Sequence, residues 1–306
     1  MELQQLKTFT TIAKIGSFTR AAEVLDYAQS SISAQVRALE DELETKLFER
    51  LGREVSLTEA GERLLVFAEK LLKLAEEAKE SVTGATVPQG TLTIGAPESL
   101  CIFKLPPLLQ EYRNRFPKVK LILKLGSCSD IYGWLRKNQV DVAFLLNTPL
   151  AVPDFVMERL SHEPMTLISG RNHVLAKKTG GADAQAPACL PTDIAGEDLI
   201  VIAEGDCCYR IIFESQLTEA GVQPGSILEL GSVESTKKCV ISGLGVTLLP
   251  RMTVQQEIAA GQLTDLHWSG ADFNIYVQMI HHKDKWISPA LAAMLQLSRE
   301  MLREPS

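Results

Sequence analysis

The sequence predicts a multidomain chain: an all-α segment carrying a β hairpin, then one long helix, then an α/β region. Three observations predict it. Short apolar stripes at helical spacing fill residues 3–43 and are interrupted at Gly16 and at "DYA". A stretch from Thr58 to roughly Ala85 holds no proline, and no glycine between Gly61 and Gly84. Beyond the hinge "GATVPQG", β-rich runs alternate with helical ones. At 306 residues the chain has room for two or three folding units. Its 45% apolar and 23% charged content is that of a soluble globular protein, and no apolar run approaches the roughly 20 residues of a membrane helix. The start "MELQQLKTFTTIAK" lacks a basic region followed by an unbroken apolar stretch, so the expected location is the cytoplasm.

The opening segment reads as helices joined by tight turns. Leu3, Leu6, Phe9 and Ala13 form the first stripe, with Gly16 as its stop. In "SFTRAAEVL", Thr19 precedes a helix-forming run with Ala22 and Leu25 on one side and Glu23 in the first turn, ending near Asp26. Ile32, Val36, Leu39 and Leu43 then bury one face of a third helix, which opens with Gln29, Ser30, Ser31 and Ser33. Taken alone, those serines read first as caps of a surface helix. After a preceding helix and turn they read as a major-groove surface: small side chains admit the backbone to the base edges, Gln29 can pair with adenine, and serines can bond bases or phosphates. The helix end adds a partial positive charge. "KLFERLGREVSLTEAG" supplies a wing, two short strands around a turn at Leu51 and Gly52, with Arg50 and Arg53 placed to reach a phosphate or the minor groove.

A formal net charge of −7 excludes a grip on nucleic acid by bulk electrostatics. Residues 1–58 do not reverse this, with seven basic against nine acidic side chains, so placement has to matter more than sum. In the long helix, Leu64, Ala68, Leu71, Ala75, Ala78 and Val82 recur as a heptad seam, which implies a homodimer. Leu65, Phe67 and Leu72 broaden the stripe, enough to pack on its own domain as well. The divisions are residues 1–58 for the DNA-reading domain, 59–88 for the linker and dimerisation helix with its hinge, and 91–304 for the α/β domain.

In that last region "TLTIGA", "KVKLILKLG", "VDVAFLLN", "MTLISG", "DLIVIA", "SILELG", "VTLLP" and "IYVQMIHH" read as strands. Helices are expected at Leu100 to Phe116, Asp130 to Lys137, Tyr209 to Ala220, Glu234 to Ser242 and Pro289 to Leu302, giving a parallel sheet. Ligands of such sheets bind at the carboxyl ends of the strands. Four places qualify: Glu98, Ser99, Leu100 and Cys101; Ser127, Cys128 and Ser129; Asn147 and Thr148; Glu204, Asp206 and Cys207. Hydroxyls and helix N-termini there favour a small carboxylate, which Glu98, Glu204 and Asp206 oppose. No glycine-rich phosphate loop, serine elbow or zinc-binding histidine pattern is present, so no enzyme, cofactor or metal is expected. The six cysteines have neither the density nor the spacing of a disulfide scaffold and read as buried thiols.

The chain resembles the LysR-type transcriptional regulators. The resemblance begins at "LKTFTTIAKIGSFTRAAEVLDYAQSSISAQVRALEDELETKLFERLGREVSLTEAG", with Phe9, Gly16, Ser17, Ala21, Ala22, Leu25, Gln29, Ser33, Leu39, Glu40, Leu43, Leu47, Phe48, Arg50, Leu57, Thr58 and Gly61. It continues at lower similarity through "CCYRIIFESQLTEAG", "GSVESTKKCVISGLGVTLLP" and "EIAAGQL". The resemblance implies a winged helix-turn-helix, a dimerising linker helix and a periplasmic-binding-protein-like effector domain. That domain would have two Rossmann-like subdomains, I at about 91–163 plus 268–304 and II at about 164–267. It implies homotetramers that bend promoter DNA and respond to a small-molecule effector. Carried over, Gln29, Ser30, Ser31, Ser33 and Arg37 lie at or beside the groove, Thr19 and Arg50 touch phosphates, Arg53 enters the minor groove, and Arg20 belongs to the same set. Ser30 stands where many members have proline, and Ala34 where many carry a basic or amide side chain. The family's peroxide sensors carry a reactive cysteine near Cys207, which leaves a second reading open: a thiol redox sensor acting through Cys207 and Cys208. Asp206 opposes it by disfavouring a thiolate next door.

Overall fold

The computed structural model describes residues 1–51, 54–82, 87–179, 187–203 and 207–303, and no side chains at 50, 51, 54, 80 and 81. Expectations for Arg53, Glu204 and Asp206, and for the side chain of Arg50, therefore lie outside the described residues. The chain divides into two compact units, Met1–Thr86 with Lys137–Gln139, and Val87–Arg136 with Val140–Ser306.

The first unit runs α1 (Leu3–Ile15), α2 (Phe18–Leu25), α3 (Gln29–Glu42), β1 (Phe48–Leu51), β2 (Glu54–Leu57) and α4 (Glu59–Val82). Its core joins Leu6, Phe9 and Ile12 of α1 to Phe18 and Ala21 of α2 and Ile32, Val36 and Leu39 of α3. Phe48 closes it, its ring 5.3 Å from that of Phe9 and 5.6 Å from that of Phe18. Gly16 ends α1 in the left-handed region at φ 69°, its N–H on Ile12 O. Leu3 and Leu43, counted in the apolar stripes, are exposed at helix ends. Helix α2 starts earlier than the sequence suggested. Ser17 takes the extended cap conformation and accepts the Arg20 N–H at 3.4 Å, so Thr19 lies inside the helix and Glu23 beyond its first turn.

Strands β1 and β2 pair antiparallel from Phe48↔Leu57 to Leu51↔Glu54. Glu40 anchors this wing to α3. Its carboxylate accepts the Leu47 N–H at 2.9 Å and the Lys46 ammonium at 2.8 Å. Burial pushes Glu40 up, but Lys46 and the backbone N–H groups outweigh it and hold the carboxyl below its ordinary value.

The second unit has two lobes. The first contains β3 (Gly90–Ala96), α5 (Glu98–Phe103), α6 (Leu105–Arg115), β4 (Val119–Leu125), α7 (Cys128–Arg136), β5 (Val142–Asn147) and β6 (Phe155–His162). The second contains β7 (Met165–Gly170), α8 (Val174–Lys178), β8 (Asp198–Ile202), α9 (Cys208–Glu219), β9 (Ser226–Leu230), α10 (Val233–Ile241), β10 (Thr247–Pro250), α11 (Gln255–Ala259) and β11 (Leu263–Asp265). The chain returns to the first lobe with β12 (Tyr276–His282) and α12 (Pro289–Leu302).

The first lobe's sheet has the order β4-β3-β5-β12-β6, and the second lobe's strands the orders β10-β7-β11 and β8-β9. Pairing of Leu199 with Val246 brings β8 alongside β10. The expected all-parallel sheet is mixed. Strand β12 runs antiparallel to both neighbours, and β10 and β11 antiparallel to β7. The physical reason is connectivity: a chain that leaves one lobe and comes back enters the sheet from the opposite end, and helix alternation alone carries no sign of that. The single helix expected from Leu100 to Phe116 is two. It breaks at Lys104, φ −118°, just before a helix opening with Pro106 and Pro107, which lack N–H groups and restrict the residue ahead of them. The two crossovers between lobes are tied together, Glu163 N–H donating to Ile275 O at 2.8 Å.

Candidate nucleic-acid interface and effector cleft

Helix α3 buries Ile32, Val36 and Leu39 and so turns the opposite face outward, exposing Gln29, Ser30, Ser31, Ala34 and Arg37. The N-cap is Ala28, whose side chain cannot cap. Ser30 and Ser31 are thus not capping serines, and among the described residues their hydroxyls bond nothing in the chain. Half-buried Ser33 accepts a hydrogen bond from Gln29 Nε2 at 3.0 Å, which holds the Gln29 amide along the helix face. Thr19 and Arg20 lie exposed on α2, and neither Arg20 nor Arg37 makes an ion pair among the described residues. Tyr27, in the turn between α2 and α3, is exposed as well, an aromatic that the sequence reading passed over.

The expected seam on α4 is corrected. Ala68 is fully buried in its own unit's core and Leu64 packs against it, so neither is available to a second chain. Helix α4 lies on α1 by this face, with Lys14 and Glu69 paired at 3.0 Å beside it. The outward face carries Phe67 (62% exposed), Leu71, Leu74 (58%), Ala78 and Val82 (83%). A 24-residue helix offers several heptad registers, and only the docking of α1 decides which one is spent internally.

In the second unit the strand-end segments of the two lobes meet, Ser232 with Glu98 at 3.0 Å and Cys208 Sγ with Leu146 O at 3.2 Å. Ser99 and Leu100 are buried, and the Leu100 side chain belongs to the lobe core instead of the cleft wall, because α5 already begins at Glu98 and turns it inward. Ser127 Oγ and Asp130 cap the start of α7 reciprocally: Ser127 accepts the Asp130 N–H at 3.2 Å, and the Asp130 carboxylate accepts the Ser127 N–H at 3.1 Å. Ser129 lies 2.9 Å from Ser127 Oγ. Asn147 Oδ1 accepts the Thr148 N–H at 2.8 Å, and buried Gln278 donates its amide to Asn147 O and Thr148 O at 2.7 and 2.9 Å, which sets the end of β5. The Tyr132 hydroxyl on α7 is buried, and burial holds it above its ordinary value. Cys207 is the N-cap of α9 and contributes no side-chain cap.

A fifth strand end was missed. After β9 the chain enters Ser232 and α10, and both groups meet Glu98: Ser232 Oγ donates to its carboxylate at 3.0 Å and the Val233 N–H at 2.9 Å. The strand-end rule applied to "SILELGSVES" would have found Ser232. Lys237, buried on α10 among Glu234, Glu257 and Thr253 O, carried no such signal, since its neighbours come from separate segments.

Two of the thiols at these strand ends, Cys101 and Cys208, are held protonated. Burial, with Glu98 adding to it, pushes Cys101 up to about 11. Burial and then Cys207 push Cys208 up to about 12, where its Sγ donates to Leu146 O at 3.2 Å. A protonated thiol is a poor nucleophile. Among the described residues no group of histidine, cysteine or carboxylate side chains could hold a metal ion.

Residues 3–62 match the model for the bacterial regulatory helix-turn-helix proteins of the lysR family, and residues 85–303 that for the LysR substrate binding domain. The chain is 39% identical over 307 aligned positions to the uncharacterized HTH-type transcriptional regulator YwqM of Bacillus subtilis (strain 168), covering 99% of this chain and 100% of that protein. Two solved structures share the fold. A full-length OxyR variant from Pseudomonas aeruginosa superposes with a TM-score of 0.71 at 24% identity, covering 100% of this chain and 96% of that one. Full-length CbnR, solved with its target DNA, gives 0.69 at 22% identity, covering 98% and 100%. No helix among the described residues is long and apolar enough to cross a membrane. The chain therefore belongs to the LysR family: it is a DNA-binding transcriptional regulator with an N-terminal helix-turn-helix domain and a C-terminal effector-binding domain.

Proposed function

We propose that the first turn of α3 enters the major groove of promoter DNA and reads bases through Gln29, Ser30, Ser31 and Ser33, with Arg37 beside them. Thr19, Arg20 and Arg50 hold phosphates and Arg53 lies in the minor groove. The observation that carries this reading is the first turn of α3: Gln29, Ser30 and Ser31 are exposed and its serines are unused for capping, and among the described residues neither Arg37 beyond them nor Arg20 on the neighbouring helix makes an ion pair. Residues 1–58 form the reading domain, 59–88 the linker, and 91–304 the effector domain, with subdomains at about 91–163 plus 268–304 and 164–267. Two chains pair through α4, dimers pair into tetramers, and the protein works in the cytoplasm.

The operator can be selected from a randomised duplex library with the full-length protein. On the selected duplex, Gln29→Ala should weaken binding by about 5- to 150-fold and relax preference at one base pair. Arg20→Ala should weaken all sequences alike and lower the slope of log affinity against log salt by about one. Equal losses on selected and random DNA for Gln29→Ala would remove it from the reading surface.

Dimerisation gives a second test. Leu71→Glu with Leu74→Glu places charges on the outward face of α4 without touching its packing on α1. Light scattering should then show half the wild-type mass at micromolar concentration. Operator affinity should fall by roughly 100-fold, since two linked half-sites become one. An unchanged mass would move the dimer contact elsewhere.

The effector we propose is a small carboxylate-bearing metabolite lodged among Ser99, Cys101, Ser127, Cys128, Ser129, Asn147, Thr148 and Cys207. The N-terminus of α9, where Cys207 supplies no side-chain cap, supports a negative charge on the ligand. Native mass spectrometry of protein purified from its host reads the ligand directly. A neutral or cationic molecule in the cleft would reject the carboxylate. The alternative, a thiol sensor acting through Cys207 and Cys208, meets the raised value of Cys208 and is the weaker reading.

A further inference from the structure

Helix α5 belongs to the first lobe, yet both its ends are engaged by the second. At its start, the Glu98 carboxylate receives Ser232 Oγ–H at 3.0 Å and the Val233 N–H at 2.9 Å, one on each oxygen. At its end, the Phe103 ring lies under the Lys237 ammonium, 5.0 Å from nitrogen to ring centre. Ser232, Val233 and Lys237 all come from the start and first two turns of α10. A glutamate in the first turn of a helix ordinarily serves its own helix. Glu98 instead reaches 134 and 135 residues along the chain, to a helix whose first N–H groups need an acceptor. The contact is charge-assisted on both oxygens and adds the favourable field of the α10 N-terminus.

We propose that Glu98 is an interlobe latch: its carboxylate caps α10 across the cleft, holds the two lobes in the observed arrangement, and must let go for the lobes to change their relative position. The proposal rests on the effector-cleft reading, because Glu98 sits beside Ser99 and Cys101 in the segment where the ligand would lodge. A ligand touching that segment acts on the latch directly. It also explains why an acidic residue stands among groups otherwise suited to an anion: Glu98 serves the other lobe and not the ligand.

Hydrogen exchange on the full-length protein, without any added ligand, tests the latch. In Glu98→Ala the amides of Val233 and the next residues of α10 should exchange about tenfold faster or more. In Glu98→Gln, which keeps an acceptor but loses the charge, the rise should be smaller. The core strands β7 and β12 should be unaffected in both. Unchanged exchange in α10 of a folded Glu98→Ala protein would overturn the proposal, and so would a uniform rise through both lobes, which would mark a merely structural role. If Glu98→Ala yields no folded protein, Ser232→Ala is read in its place; it removes the partner on the other lobe, and absence of a local rise there overturns the latch equally. On the selected operator, Glu98→Ala should change the length of the protected footprint, and an identical footprint despite a loosened α10 would refute the link to regulation. Failure of the wild-type protein to select any DNA would count against the DNA-reading function and leave the latch untouched.

Discussion

Gly61→Ala is expected to unfold the first unit some 15 °C earlier than in the wild type, the loss of about 2–4 kcal/mol in a domain of this size. An added Cβ at Gly61 would lie 2.2 Å from Leu47 O and 2.9 Å from a methyl of Leu57. The leucine methyl can shift, but the backbone carbonyl cannot yield cheaply. Leu47 O accepts the Thr58 N–H at 3.0 Å, and Thr58 in turn caps α4 by accepting the Gly61 N–H at 3.0 Å, so moving the carbonyl breaks the join between wing and linker helix. Calorimetry of the full-length protein should show one transition fall while the other stays. Gly133→Ala is the matched control: Gly133 lies inside α7 with nothing within 4 Å of the added atom, and alanine there should stabilise by about 0.5–1 kcal/mol. Unchanged melting of Gly61→Ala would mean that α4 and the wing are not joined as described. Operator binding should fail as the temperature passes the lowered transition, because α3 and the wing share one core with α4.

Lys237→Met should be the matching lesion in the second unit, a loss of about 3–5 kcal/mol and roughly 10 °C. The side chain is 3% exposed and its ammonium is bonded to Glu234 and Glu257, each at 2.7 Å, and to Thr253 O at 2.9 Å. Burial pushes Lys237 down, but its bonds to the two carboxylates outweigh that and hold it above its ordinary value of 10.5. The raised value gives the sign of the pH dependence. Its contribution is fully present below pH 10.5 and is lost as pH rises through the folded-state value, so the deficit of Lys237→Met should be constant across neutral pH. Removing the cation strands Glu257, whose Oε2 is already buried without a hydrogen-bond partner. Adding Glu257→Gln should therefore restore part of the stability. A double variant no better than the single one would show that the carboxylate is not the source of the damage.

These expectations divide between what can be read along the chain and what cannot. The helix-turn-helix, the hairpin wing, the long helix and the strand-helix alternation follow from local patterns: apolar spacing, Gly16 as a helix stop, two short β-rich runs that pair as β1 and β2. The exposed first turn of α3 belongs here too, since burying Ile32, Val36 and Leu39 dictates where Ser30 and Arg37 point. Strand ends are equally local, and Ser127, Asn147 and Thr148 were found that way. The return of β12 antiparallel, the choice of seam on α4, the burial of Leu100 and the bond from Glu98 to α10 were decided only by tertiary structure. Backbone periodicity is set within three or four residues, so the chain states it openly. Which of several apolar faces is consumed, and which charge meets which helix end, is settled by contacts between segments far apart in the chain, from α1 against α4 to Glu98 against α10, that leave no trace in spacing.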